Sequence, residues 1–280
     1  MPNGSLYAYY TIILYGSKDN YMTTRIKQTF EKLAKSSKTA LIPFIMGYDP
    51  DGEISDKILA AMPAAGADII EIGMPFSDPM ADGAVIQAAG IRALKAGATV
   101  VKIIAMVREF RKNNNKTPII LMGYFNPVYR YGVEKFCKDA VAAGVDGIII
   151  VDLPPEEENE IRPHLTATGL DLIRLIAPTS GDDRLPLLAA SASGFVYYIS
   201  ITGITGAKTA DSGALKNQIE HLREFTKLPI AVGFGIKTPQ QVSDVSKFSD
   251  AVVVGSALVD IIHQADDKVE AAAKFIKSLR

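Results

Sequence analysis

Eight apolar, β-branched runs recur along this chain, and a stretch with helical periodicity follows each one. The runs span residues 41–45, 69–74, 118–122, 147–151, 172–176, 195–200, 230–234 and 251–254. They read as apolar throughout rather than alternating, which is the pattern of strands covered on both faces. Between them, Ile54, Ile58, Leu59 and Met62 recur at helical spacing, as do Val101, Ile104, Val107 and Phe110. Further helices are expected over residues 24–33, 214–225 and 269–279, and one starting at Pro154, Pro155 and Glu156, where proline and acids suit a helix N-terminus. No composition shift or long linker divides the series. Eight strand–helix units in one unbroken series point to the α/β class, a single-domain (β/α)8 TIM barrel with an N-terminal helix and extra short helices. An open doubly wound sheet is the alternative, but no G-x-G-x-x-G follows the first strand.

The balance of charge narrows the partners. With 30 basic and 31 acidic residues the formal net charge is −1, so no global field steers the chain to nucleic acid or an anionic membrane. No apolar run approaches the roughly 18–20 residues that span a bilayer. Cys137 is the only cysteine, which leaves no disulfide within the chain and suits a cytoplasmic home. Residues 1–21 differ from the rest and hold five of the chain's 11 tyrosines. Their apolar stretch lacks preceding basic residues and makes a poor signal peptide. They are read as an extension, non-native or disordered, ahead of a catalytic domain at 22–280. An added edge strand or pairing segment is the competing reading.

In a barrel the working face is the C-terminal end of the strands. Glu71, alone in an otherwise apolar strand, and Asp82 in the loop beyond it are the acid–base candidates. Two carboxylates near one pocket tend to raise one pKa toward neutrality. Asp78, between Ser77 and Pro79, suits a turn and is expected to cap backbone N–H groups. Asp152 ends strand four and is equally a loop-fixing or a substrate group. Gly206, Gly235, Gly255 and Ser256 lie past neighbouring strands, where bare backbone N–H groups and a hydroxyl could cradle a phosphate. Phe44, Tyr124 and Tyr197 could form an aromatic wall. His164, His221 and His263 all fall in expected helices, away from this face, so a His-ligated metal is not expected. No lysine lies in the strand runs, which disfavours a Schiff base. What remains is proton transfer by carboxylates on a phosphorylated substrate.

Residues 71–87, EIGMPFSDPMADGAVIQ, resemble the signature of the tryptophan synthase alpha chain family. The resemblance continues through Pro43 and Phe44; Tyr124 to Pro127; Val151 to Pro154; Gly203 to Gly206; Val232 to Ile236; and Val254 to Ser256. It covers roughly residues 22–280. It implies a metal-independent lyase that cleaves indole-3-glycerol phosphate to indole and glyceraldehyde 3-phosphate. By the same resemblance, Glu71 shuttles the proton and Asp82 holds the indole N–H, with Tyr197 near the reacting hydroxyl. Gly206, Gly235, Gly255 and Ser256 match the phosphate cradle, and Phe44, Tyr124 and Thr205 the substrate pocket. It further implies an alpha2-beta2 heterotetramer, with pyridoxal phosphate in the beta chain and none in this chain. Asn126, Pro127 and the loop around Asp78 lie where the family meets that partner.

The chain departs from the family pattern at several points. Members usually carry threonine and glycine at the places of Met46 and Tyr48, so the first loop is expected to differ in shape. Ile201 stands where some members carry arginine, and Lys237 replaces a common serine. A free-standing indole-3-glycerol phosphate lyase, or a weakly active subunit that mainly activates a beta partner, are the other readings.

Overall fold

Strand β1 (Ala40–Met46) is buried along its whole length, as a strand covered on both faces must be. It is the common member of two parallel ladders in the computed structural model, which describes residues 24–199, 212–233 and 235–280. On one side follow β2 (Ile70–Gly73), β3 (Ile119–Gly123), β4 (Gly147–Ile150) and β5 (Asp171–Leu172). On the other follow β9 (Ala251–Val254), β8 (Ile230–Gly233), β7 (Val196–Ile199) and β6 (Arg174–Ile176). Every pairing is parallel. Each expected run therefore contains a strand, and the open-sheet alternative falls away. Residues 1–21 lie outside the described residues.

The fifth run forms two short strands rather than one. Its first part pairs with β4 and its second with β7, so the ring closes through a seam. Arg174, which the sequence reading passed over as part of an apolar run, staples that seam. Its guanidinium donates to the Leu153 carbonyl (2.7 Å) and the Ser191 hydroxyl (2.9 Å), and it pairs with Glu158. Arg162 grips the same carboxylate with two hydrogen bonds of 2.9 and 2.7 Å. Both members of the Arg174–Glu158 pair are buried, a cost that only such multiple bonding offsets.

Alternation along the strands sorts side chains into two layers. Ile42, Ile69, Ile120, Ile149, Ile173, Phe195 and Val253 fill the barrel interior. Helix Arg25–Lys35, started by the Thr24 side chain accepting from the Lys27 N–H, closes the lower end. Its Ile26, Phe30 and Leu33 join the interior cluster, and Phe30 sits 5.8 Å from the Phe195 ring. Arg25 ties it to Asp146 at 2.8 Å, and Asp146 also binds Arg111 at 2.7 Å. The larger cluster, with Leu59, Met62, Val107, Phe136 and Ile276, lies outside the ring beneath the surrounding helices.

Two helix expectations need correction. The segment from Pro155 begins as a 3₁₀ turn (Pro155–Glu160), and an α-helix starts only at Arg162–Thr168. Pro163 explains the break, since proline fits the first turn of a helix and not its interior. In helix Val100–Arg111 the buried face is Ile103, Ile104, Met106, Val107 and Phe110, while Val101 is exposed. Each three-residue step falls about 60° short of a full turn, so 101, three steps before 110, lies about 180° round the helix from it.

Candidate active site

Glu71 shares its strand face with Ile69, so alternation carries its carboxylate into the barrel interior above the apolar plug. It is 2 % exposed, and among the described residues no cation or hydrogen-bond donor pairs with it. Burial alone pushes its pKa up to about 8. Asp82 does not contribute to that shift. The expectation that one carboxylate raises the other is therefore corrected: burial acts on each separately. Near neutral pH Glu71 is a protonated acid facing the mouth of the barrel.

Tyr197, on β7, faces the same space. Its phenol is driven well above its ordinary pKa by burial and by the proximity of Glu71. The hydroxyl rests over the Gly233 backbone, where an added Cβ would stand 2.5 Å from the oxygen. Gly233 is thus a position where a side chain would collide with Tyr197, which sequence reading did not single out. The available signal was a glycine inside a strand run, where close approach by another group is a common reason.

Phe44, on β1, stands beside Glu71 on the adjacent strand. A Cβ on Gly73 would come within 2.7 Å of its Cζ, and one on Gly255 within 3.6 Å of its Cβ. Register pairs Phe44 with Glu71. Beyond Gly73 the chain leaves β2 in the loop that carries Asp78 and Asp82. Asp78 is exposed and accepts the Ser77 hydroxyl, so it shapes the turn, although through a side chain rather than a backbone N–H. Asp82 is half-buried. Burial raises its pKa, and a hydrogen bond from Tyr124 lowers it. Asp152 accepts the backbone N–H of Phe125 at 2.8 Å and so fixes the start of helix Phe125–Tyr131.

Tyr124, expected in the pocket wall, is buried beside Phe76 at 5.5 Å between ring centres. Its hydroxyl accepts from the Ala81 N–H (3.0 Å) and donates to Asp82 Oδ1 (3.0 Å). Gly235 and Gly255 lie two residues past the Gly233–Val253 pair, just beyond the ends of adjacent strands. Gly235 has φ +77°, a conformation that favours glycine. Gly255 precedes helix Ser256–Gln264, whose first turn has no side-chain cap. Its leading N–H groups and the macrodipole suit an anion. Gly206, Thr205 and Ile201 lie outside the described residues. The three histidines all sit in helices, and His221 binds Asp182 at 2.8 Å.

In the first loop Tyr48 holds φ +70°, costly for a bulky side chain. Lys102 Nζ lies 5.5 Å from the Tyr48 ring centre, and the Tyr48 backbone N–H donates to Ser55 Oγ at 3.0 Å. These contacts hold the tyrosine where the family pattern has glycine. The neighbouring Asp49 is clamped by Arg92 through two 2.7 Å bonds.

Comparison with known proteins places this geometry in context. The family model described as "Tryptophan synthase alpha chain" matches residues 30–280. The tryptophan synthase alpha chain of Acidiphilium cryptum (strain JF-5) is 56% identical over 237 residues, covering 85% of this chain and 86% of that protein. That of Granulibacter bethesdensis is 53% identical over 256 residues, with 91% and 92% covered. The crystal structure of tryptophan synthase subunit alpha from Legionella pneumophila is similar at a TM-score of 0.86 and 40% identity, covering 91% of this chain and 97% of that one. Tryptophan synthase from M. tuberculosis in an aminoacrylate-bound form is similar at 0.83 and 30% identity, covering 91% and 98%.

Proposed function

The chain belongs to the tryptophan synthase alpha chain family, and from that premise we propose how its residues carry the reaction. The reaction is the cleavage of indole-3-glycerol phosphate to indole and glyceraldehyde 3-phosphate, in the biosynthesis of tryptophan. The observation that supports our assignment best is Glu71, a buried carboxyl that is neutral near pH 7 and faces the barrel mouth.

Cleavage of the bond between indole C3 and the glycerol chain requires the ring carbon to accept a proton. Glu71 donates it, and positive charge spreads to the indole nitrogen. Asp82, as a carboxylate, accepts the indole N–H and stabilises that charge. The Glu71 carboxylate then removes the proton from the adjacent glycerol hydroxyl. That oxygen collapses to an aldehyde, the C–C bond breaks, and its electrons restore the aromatic ring. Tyr197 lies beside Glu71 and stays a neutral phenol throughout, placed to hydrogen-bond the reacting hydroxyl. Gly235, Gly255 and Ser256 take the phosphate, and Phe44 and Tyr124 border the pocket; the family resemblance assigns Gly206 to the first group and Thr205 to the second.

The partner is the tryptophan synthase beta chain. We place pyridoxal phosphate in that chain, since the steps above need only proton transfer. Met80 (75%) and Tyr129 (58%) are exposed on the loop and helix where docking is expected, and their apolar surface supports that placement. We take residues 22–280 as one catalytic domain of a cytoplasmic enzyme; among the described residues no helix is long and apolar enough to cross a membrane. Indole release by the purified chain, measured with and without beta chain, tests the reading. Activity that rises on adding beta chain is expected. No indole under either condition would overturn it.

A further inference from the structure

We infer that Tyr124 is a positioning residue whose hydroxyl fixes Asp82 for catalysis. The inference rests on the role given to Asp82 above. Tyr124 closes β3, directly after Gly123, and starts helix Phe125–Tyr131. It therefore stands on rigid backbone at both ends, whereas Asp82 sits in a loop broken by Pro75, Pro79 and Gly83. One hydroxyl reaches across and makes two bonds, accepting from the Ala81 N–H and donating to Asp82 Oδ1, each at 3.0 Å. Phe76 against the ring and burial of the ring itself (2% exposed) leave the phenol no other position.

The loop end is held from a second side as well. The Gln87 side chain donates to the Asp82 carbonyl at 2.8 Å, and the Asp82 N–H donates to the Pro79 carbonyl at 3.0 Å. The backbone on both sides of Asp82 is thus fixed independently of its carboxylate. What Tyr124 adds is the orientation of the carboxylate. Oδ1 is occupied by the phenol, which leaves Oδ2 as the oxygen available to the indole N–H. Because the phenol's pKa is pushed up to about 12, it remains a donor across the working range. Its hydrogen bond also favours the carboxylate form that the cationic ring requires.

The test compares Tyr124→Phe, Asp82→Asn and the double variant, each assembled with beta chain and assayed for indole release. The phenylalanine keeps the ring contact and removes only the hydroxyl. For Tyr124→Phe we expect kcat to fall about tenfold, the scale of one hydrogen bond to a charged group, with KM changed less than about twofold. In the Asp82→Asn background the same change should cost almost nothing further, because its target carboxylate is gone. Unchanged kcat in Tyr124→Phe, or equal losses in the two backgrounds, overturns the positioning role while leaving Asp82 in place. Unchanged kcat in Asp82→Asn alone overturns the reading of Asp82 itself.

Discussion

Replacing Glu71 by glutamine separates the carboxyl's chemistry from its cost to the fold. The folded protein holds this group near pKa 8, against 4.5 when exposed. Below pH 4.5 it is protonated in both states and contributes no pH dependence. Above that, the unfolded chain ionises while the folded chain keeps its proton, so stability falls as pH rises until about pH 8. At 1.36 kcal/mol per pH unit the full penalty approaches about 5 kcal/mol, and about 3 kcal/mol of it is present at pH 7. Glu71→Gln removes the titration and keeps the shape. The amide has its own desolvation cost, but that cost does not vary with pH. Urea unfolding followed by far-UV circular dichroism at pH 5 and pH 8.5 therefore reads the difference directly. We expect the variant to gain about 4 kcal/mol on the wild type between those two pH values, while its turnover falls by ~10²–10⁴, the range for a lost general acid–base. Parallel pH dependence in the two proteins would refute the buried neutral acid. Near-normal turnover would refute its role in proton transfer.

Asp171 has its pKa raised to about 6 by burial, against the opposing hydrogen bonds of the Ser193 and Thr24 side chains, so it costs stability as pH rises from about 4 to 6. Asp171→Asn should raise the urea midpoint at pH 7 by an amount worth about 1–2 kcal/mol and leave it unchanged at pH 3.5; equal effects at both would remove the carboxylate as the cause. Gly233→Ala places a Cβ 2.5 Å from the Tyr197 hydroxyl and should destabilise by about 1–3 kcal/mol. The ring carbons Cε2 and Cζ also lie 2.8 and 2.9 Å from that Cβ, so the whole ring must go: in a Tyr197→Ala background Gly233→Ala should cost far less in thermal unfolding, and simple additivity of the two changes would contradict the contact. Ser256→Ala should weaken inorganic phosphate binding about tenfold by calorimetry, and unchanged affinity would take the hydroxyl out of the cradle.

Strand positions and the buried carboxylate were legible in the sequence because both depend on local pattern. Continuous apolar runs mark doubly covered strands, and one glutamate among them marks its own cost. Through-space relations were not legible. Nothing in the spacing of Ala81, Asp82 and Tyr124 shows that one hydroxyl joins all three. Nothing in the fifth run shows that its two ends pair with different neighbours, although Arg174 was a warning there. Tyr48 was noted as a departure, but its left-handed backbone and the lysine above its ring are consequences of tertiary packing.

The pairing of β1 with β9 has a further consequence for how the molecule is made. Ala40 and Ala251 face each other across this ladder, about 210 residues apart in sequence, so closure is a non-local event of the kind that slows folding. As the chain emerges, the edge of β1 that will receive Ala251–Val254 is left without its partner while the other strands are synthesised. An unpaired apolar edge of that kind is a template for association between nascent copies. The last strand is thus both the support for the turn we assign to phosphate and the element that ends this exposure.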